Sequence, residues 1–244
     1  MTLKTVSFCF DDGFLKSTRK IASLFEDRGL RASFCVMAAP TESVDIAHRG
    51  AQFADWDMWR ALRARGHDVG PHGWAHERLS TMPSKAAKQS LRRMFERFEA
   101  ELPGFLSAET IFHTPYLALP HEILMWLTAQ VAAVRVATGG HGITSHAAVR
   151  ASRVIDCITF GPEAVADQAA RHIDRFGTTD GELLTLVLHG VDGEGWGSLA
   201  LGDLARLVDD CLARGHAIRP LIDTCRFLDC SSPGRSSLDR PSDS

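Results

Sequence analysis

Three short stretches of this chain concentrate side chains that can bind a cation or move a proton. Asp11 and Asp12 stand together at the end of an apolar run, Phe8-Cys9-Phe10, and are followed by Gly13. His72 and His76 lie four residues apart in a glycine-rich stretch, and His189 closes the run Leu186-Val187-Leu188. Two carboxylates directly after a core-like strand are costly to bury unless a cation or a reaction uses them. One carboxylate with two imidazoles suits a catalytic divalent metal that keeps an open position, and it leaves the second carboxylate for acid–base work. In a chain with 11 histidines the His72/His76 spacing alone carries little. Its weight comes from Pro71 and Gly73 beside it, at a strand end matching that of the aspartates.

Those residues need a scaffold that gathers strand ends. Residues 5–10 read as a strand, followed by a helix over 17–28 closed by Gly29 and a strand over 32–37. Residues 38–54 have no sustained period and predict a long, functional loop. A helix over 55–65 ends at Gly66, and residues 67–70 run into the histidine pair. Ser84 is expected to cap a helix whose Leu91, Met94, Phe95, Phe98 and Leu102 share one face. Then come a strand at 110–113 with a helix at 121–128, and a strand at 131–137 without a clear helix after it. A strand at 154–160 precedes a helix with Pro162 at its first position. A strand at 183–189 precedes a helix over 199–214, and 217–222 is the last strand.

This alternation predicts parallel strands covered by helices, in an open doubly wound sheet or a (β/α) barrel. Either architecture binds ligands at the carboxyl ends of its strands, where Asp11, Asp12, His72, His76, His113 and His189 all fall. Adjacent strand residues point to opposite faces, so both aspartates reach one site only if the chain turns there. Gly13 permits that turn.

The 244 residues, 45% of them hydrophobic, suffice for a full core. A formal net charge of −3 supplies no long-range attraction to nucleic acid or anionic membrane. No apolar stretch approaches the roughly 18 residues that span a bilayer. Residues 5–10 read as a core strand rather than part of a signal peptide, which predicts a cytoplasmic protein. Cys9, Cys35, Cys157, Cys211, Cys225 and Cys230 lack close metal-type spacing and are expected to be reduced packing residues. One domain over 1–230 and a disordered Ser- and Pro-rich tail over 231–244 are expected.

The run Phe10-Asp11-Asp12-Gly13 resembles the first motif of the polysaccharide deacetylases, the NodB-homology domain of carbohydrate esterase family 4. Gly66-His67-Asp68-Val69-Gly70-Pro71-His72-Gly73-Trp74-Ala75-His76 resembles their second motif. Thr114-Pro115-Tyr116 stands where the third motif's proline and aromatic belong, and Leu186-Val187-Leu188-His189 resembles the fifth. The resemblance spans about residues 4–228 and implies a distorted (β/α)7 barrel, α/β in class, with one divalent metal. That metal is usually zinc, with cobalt, nickel and manganese also compatible with the ligand types. It further implies Asp12, His72 and His76 as metal ligands and Asp11 as the base that deprotonates the metal-activated water. The Tyr116 backbone N–H would hold the oxyanion, and His189 would protonate the leaving amine. Trp74 and Trp196, with Pro115, are candidate sugar-binding residues, since indole faces stack on sugar rings.

Four departures stand out. His113 occupies the position of the arginine that tethers the base, and a histidine lacks that residue's permanent charge and fork. Leu117 replaces the usual glycine, and Gly73 replaces a serine or threonine. The fourth motif's aspartate has no clear counterpart, with Asp156 and Asp192 as the nearest carboxylates. The leading expectation is a metal-dependent hydrolase that removes an acetyl or formyl group from the nitrogen of an amino sugar or short oligosaccharide. The alternatives are a cyclic-amide hydrolase of allantoinase type and a non-catalytic sugar-binding relative. A hydrogen bond from His113 to Asp11 would favour catalysis, and a His113 turned away from Asp11 would favour the binding reading.

Overall fold

The computed structural model describes residues 3–229. Along the chain run β1 (Thr5–Asp12), α1 (Leu15–Glu26), β2 (Ser33–Val36), α2 (Trp56–Ala64), β3 (Asp68–Pro71), α3 (Ser84–Glu101), β4 (Ile111–His113), α4 (His121–Thr128) and β5 (Ala133–Arg135). They are followed by β6 (Ile143–Thr144), α5 (His146–Ser152), β7 (Val154–Ile155), β8 (Ile158–Thr159), α6 (Val165–Gly177), β9 (Leu183–Leu188), α7 (Leu201–Ala213), β10 (Ala217–Ile218) and α8 (Leu221–Asp229).

Strand β1 organises the rest because both of its faces are buried. On one face Phe8 and Phe10 meet Phe25 of α1 edge-on, at 5.8 and 5.7 Å between ring centroids. Ser7, Cys9 and Asp11 alternate onto the other face, as strand pleating requires. One arc of parallel strands runs β3-β2-β1-β9, and β8 adds to the far side of β9. A second arc runs β4-β5-β7. Strands β7 and β8 are two halves of one run interrupted at Asp156 and Cys157, and β3 lies against β4. The arcs lie against each other as a distorted α/β barrel with helices outside, which strand pairing does not close between β3 and β4. Cys9, Cys35, Ile111, Ala133, Ile155 and Leu183 form one buried apolar cluster inside it, joined by Leu221, Ile222 and Cys225 of α8. The Leu221 backbone N–H donates to Ser33 Oγ (2.8 Å), so α8 plugs the amino end and leaves the carboxyl end open.

Several boundaries differ from the sequence expectations. β10 stops at Ile218, and 221–222 belong to α8 rather than to a last strand. Helix α5, absent from the sequence reading, buries only Val149 and so shows no apolar period. Ser84 does not cap α3; it is the first helical residue, and its hydroxyl bonds Glu122. Helix α6 starts at Val165 rather than Pro162, after Ala164 in the left-handed conformation (φ 52°). Cys9, Cys35, Cys157, Cys211 and Cys225 are buried and form no disulfide among the described residues, whereas Cys230 and the tail over 231–244 lie outside the described residues. Among the described residues no helix is long and apolar enough to cross a membrane.

The turn after β1 takes two consecutive residues through positive φ, Asp12 at 74° and Gly13 at 84°. A Cβ at Gly13 would lie 2.8 Å from the Trp59 ring. Gly13→Ala is therefore expected to destabilise the fold by more than about 1 kcal/mol through the strained conformation alone. Chemical unfolding measures this, and a cost near zero would mean that Trp59 and the turn both yield freely.

Candidate active site

Because the chain turns at Asp12 and Gly13, the two adjacent carboxylates face one place. Strand β3 delivers His72 directly after its last residue, and the Gly73-Trp74-Ala75 turn returns the chain so that His76 comes up beside it. Glu77 holds that turn by accepting the backbone N–H groups of Trp74 and Ala75, both at 3.0 Å. Gly73 sits at φ 82°, and a Cβ there would meet Pro115 at 3.1 Å, which accounts for glycine at this position. Four of the eight non-glycine residues with positive φ among the described residues (Asp12, His76, Tyr116 and Leu117) belong to this one site. Strained backbone concentrates where side chains must be aimed.

Asp12 Oδ1 lies 3.5 Å from His72 Nε2 and 3.6 Å from His76 Nε2. Those separations are close to the roughly 3.3–3.4 Å edges of a tetrahedron with metal–ligand bonds of about 2.0–2.1 Å. Asp12 Oδ1 and His72 Nε2 are buried with no hydrogen-bond partner, so atoms that are expensive to strand converge on one point. Each imidazole is oriented through its other nitrogen. His72 Nδ1 donates to the carbonyl of His113 (2.9 Å), and His76 Nδ1 donates to Asp45 Oδ2 (2.9 Å), leaving both Nε2 lone pairs for a cation. In the metal-free protein, burial and the neighbouring His72 push the His76 pKa down to about 4, so this imidazole is neutral at pH 7. Burial also opposes a charge on His72, but Asp11 and Asp12 outweigh it and raise its pKa. The donor set fits a divalent cation.

Arg135, at the end of β5, forms a two-pronged ion pair with Asp11: Nη1 to Oδ1 at 2.8 Å and Nη2 to Oδ2 at 2.7 Å. Both residues are buried. Burial alone would raise the Asp11 carboxyl; the guanidinium, with nearby His72, instead holds it well below the usual carboxylate range. The hydrogen bond from His113 to Asp11 that would have favoured catalysis is absent, which by itself favours the binding reading. Arg135 takes both oxygens, while the His113 ring packs against Gly70 and its two nitrogens have no partner among the described residues. Burial, with the Arg135 charge, drives the His113 pKa well down, so this ring is a neutral packing group. Sequence reasoning missed Arg135, although a signal was present: it is the one charge in Val131-Ala132-Ala133-Val134-Arg135-Val136-Ala137, where a core strand predicts none.

A cavity of about 370 Å³ opens over this centre, lined among others by Asp11, Asp12, His76, Tyr116, His189 and Trp196. His189 and Trp196 meet edge to face at 5.2 Å. Trp74 and Pro115 fall outside the lining. The Trp74 indole N–H donates to Glu42 (2.7 Å), the Arg93 guanidinium lies 3.5 Å above its ring, and Pro115 is buried beside Gly73. The Tyr116 hydroxyl donates to Asp45 (2.6 Å). Asp156 spends its carboxylate on Thr138 and the Gly142 N–H, and Asp192 on Lys20 and the Leu201 N–H. Neither carboxylate is thereby placed as a partner of His189.

The sequence profile of the polysaccharide deacetylases matches residues 1–137. The chain belongs to the polysaccharide deacetylase family. It is 29% identical over 113 residues to a chitin deacetylase of Colletotrichum lindemuthianum, a match covering 46% of this chain and 42% of that protein. The match thus spans less than half the length of this curated relative. The fold of this chain is similar to that of a family 4 acetyl xylan esterase from Clostridium thermocellum in complex with a cobalt ion (TM-score 0.60, 17% identity, 92% of this chain and 91% of that one). It is also shared by a family 4 pseudoenzyme from Bacillus anthracis (TM-score 0.62, 11% identity, 91% and 66%).

Proposed function

We propose that this deacetylase-family chain is a metal-dependent amide hydrolase that removes an N-acyl group, acetyl or formyl, from an amino sugar or short oligosaccharide. The observation that carries the reading is the Arg135–Asp11 pair beside the Asp12/His72/His76 cluster. An ionised, oriented carboxylate next to a fitted cation site is a catalytic arrangement, and binding a sugar would not require it. Asp12, His72 and His76 hold the cation, with zinc as the first candidate. When bound, the cation would polarise the acyl carbonyl and acidify the attacking water, which offsets the weak proton affinity of Asp11. Asp11 takes the proton at the oxygen facing the cavity while Arg135 keeps the carboxylate oriented. The backbone N–H of Tyr116, turned by its left-handed conformation (φ 54°), supports the developing oxyanion, and His189 donates a proton to the departing amine. Trp196 supplies a ring face for a sugar at the cavity mouth.

Acetate or formate release from N-acylated glucosamine oligomers, in the presence of added divalent metal, tests this reading. Asp11→Asn is expected to lower turnover by about 10²–10⁴-fold while metal is retained. Turnover unaffected by that change would remove Asp11 from the mechanism. Ring opening of cyclic amides without acid release would move the chain to the cyclic-amide hydrolases, and no turnover with metal bound would make it a binding relative.

A further inference from the structure

The loop over residues 38–54 has no counterpart in the chemistry assigned so far, yet it reaches two of the three proposed metal ligands. It folds as two short 3-10 turns, Pro40–Glu42 and Ile46–His48. Asp45 precedes the second turn and caps it, accepting the Ala47 N–H at 2.9 Å with Oδ1. The other oxygen of Asp45 accepts from His76 Nδ1 (2.9 Å) and from the Tyr116 hydroxyl (2.6 Å). His48, at the end of that turn, is buried and packs edge-on against the stacked pair Phe14 and Phe53, at 5.7 and 5.5 Å. Its Nδ1 meets the Ser43 hydroxyl (2.8 Å), and its Nε2 lies 3.2 Å from Asp12 Oδ2. That nitrogen is sealed from water and has no aligned hydrogen-bond partner, a costly state for a polar atom aimed at a carboxylate. The far end of the loop is tied to the turn carrying Asp12: Ala54 N–H donates to Gly13 C=O (3.0 Å), and Leu15 N–H donates to Gln52 C=O (2.8 Å).

We propose that this loop is part of the metal centre. Asp45 fixes the tautomer of His76, and His48 holds the outer oxygen of Asp12, so that capture of the cation and ordering of the loop are one event. Asp12 turns Oδ1 to the ligand cluster and Oδ2 to His48, whose Nε2 at 3.2 Å needs only realignment to bond that oxygen and stop the carboxylate from rotating. His76 with its proton on Nδ1 must present the Nε2 lone pair, and Asp45 makes that tautomer the favoured one. His48 and Asp45 are positioning residues: each acts through a ligand. The inference rests on Asp12, His72 and His76 being the ligands.

The test is zinc affinity of the full chain, measured by competition with a chromophoric chelator, for wild type, Asp45→Asn, His48→Gln and a His72→Ala control. The two loop variants are expected to bind zinc about 10–100-fold more weakly, with the circular dichroism and melting midpoint of the metal-free protein unchanged. Hydrogen exchange across residues 40–53 of the wild type is expected to slow when zinc is added, a readout that needs no variant. If wild type binds zinc and His72→Ala does not, affinities within twofold of wild type in both loop variants would overturn the loop's role alone. Exchange indifferent to zinc would do the same. If wild type binds no zinc, the ligand assignment has failed and this inference falls with it.

Discussion

Arg135→Met is expected to cost about 3–5 kcal/mol of folding stability and to abolish turnover, the largest effect of any single change considered for this chain. The cost arises from what remains. Asp11 is 3% exposed, and without the guanidinium its charge stays buried with no full partner. Arg135→Lys keeps the charge but cannot reproduce the two parallel bonds at 2.8 and 2.7 Å, so it should recover part of the stability and little of the orientation. Asp11→Asn combined with Arg135→Met should be more stable than Arg135→Met alone, because the stranded charge is gone, while remaining inactive. Urea unfolding of wild type, Asp11→Asn, Arg135→Met and the double variant closes the cycle, and a loss under about 1 kcal/mol in Arg135→Met would show that the pair is not what holds Asp11. The pH dependence follows from the direction of the Asp11 shift. Its folded pKa lies below the unfolded value, so the stabilisation is complete above about pH 4 and is lost as the pH falls through the lower folded value.

Asp12 is expected to decide whether metal binds at all. One divalent ion per chain should be recovered from wild type, and none from Asp12→Ala. Alanine tolerates φ 74° poorly, so Asp12→Asn is the cleaner test: asparagine accepts the left-handed conformation and keeps the shape while removing the charge. Zinc at 100 times its dissociation constant should stabilise wild type by about 2.7 kcal/mol and leave either variant unmoved. Full occupancy in Asp12→Asn would mean that the histidines alone hold the ion, and the ligand assignment would be wrong.

The alternation of apolar runs with helical periods was enough to place most strands and helices, because hydrophobic period reports which face is buried. The elements it missed are those whose burial is slight or irregular, such as α5 with Val149 alone inside. The same holds for the site. Asp11, Asp12 and His189 were legible because each follows an apolar run, and His72 and His76 because their pair stands beside Pro71 and Gly73 at a matching strand end. For Trp74, offered as a sugar-binding candidate, sequence does not say that Arg93 and Glu42 would claim its ring and N–H.

From the sequence alone come the strand–helix alternation and the carboxylates and imidazoles at strand ends, since these depend on residue type and local period, while the barrel and the family were implied by the motifs the chain resembles. Which arginine tethers Asp11 was decided only in three dimensions. Strands β4 and β5 are neighbours in parallel register, His113 against Arg135, so either strand end can supply the guanidinium. The roles of Asp45 and His48 are likewise tertiary. They lie 33 and 36 residues from Asp12 in sequence, inside a loop with no periodicity to read. The packing of His48 against the stacked Phe14 and Phe53, with the backbone bonds that tie Gln52 and Ala54 to Leu15 and Gly13, brings that loop against the aspartate.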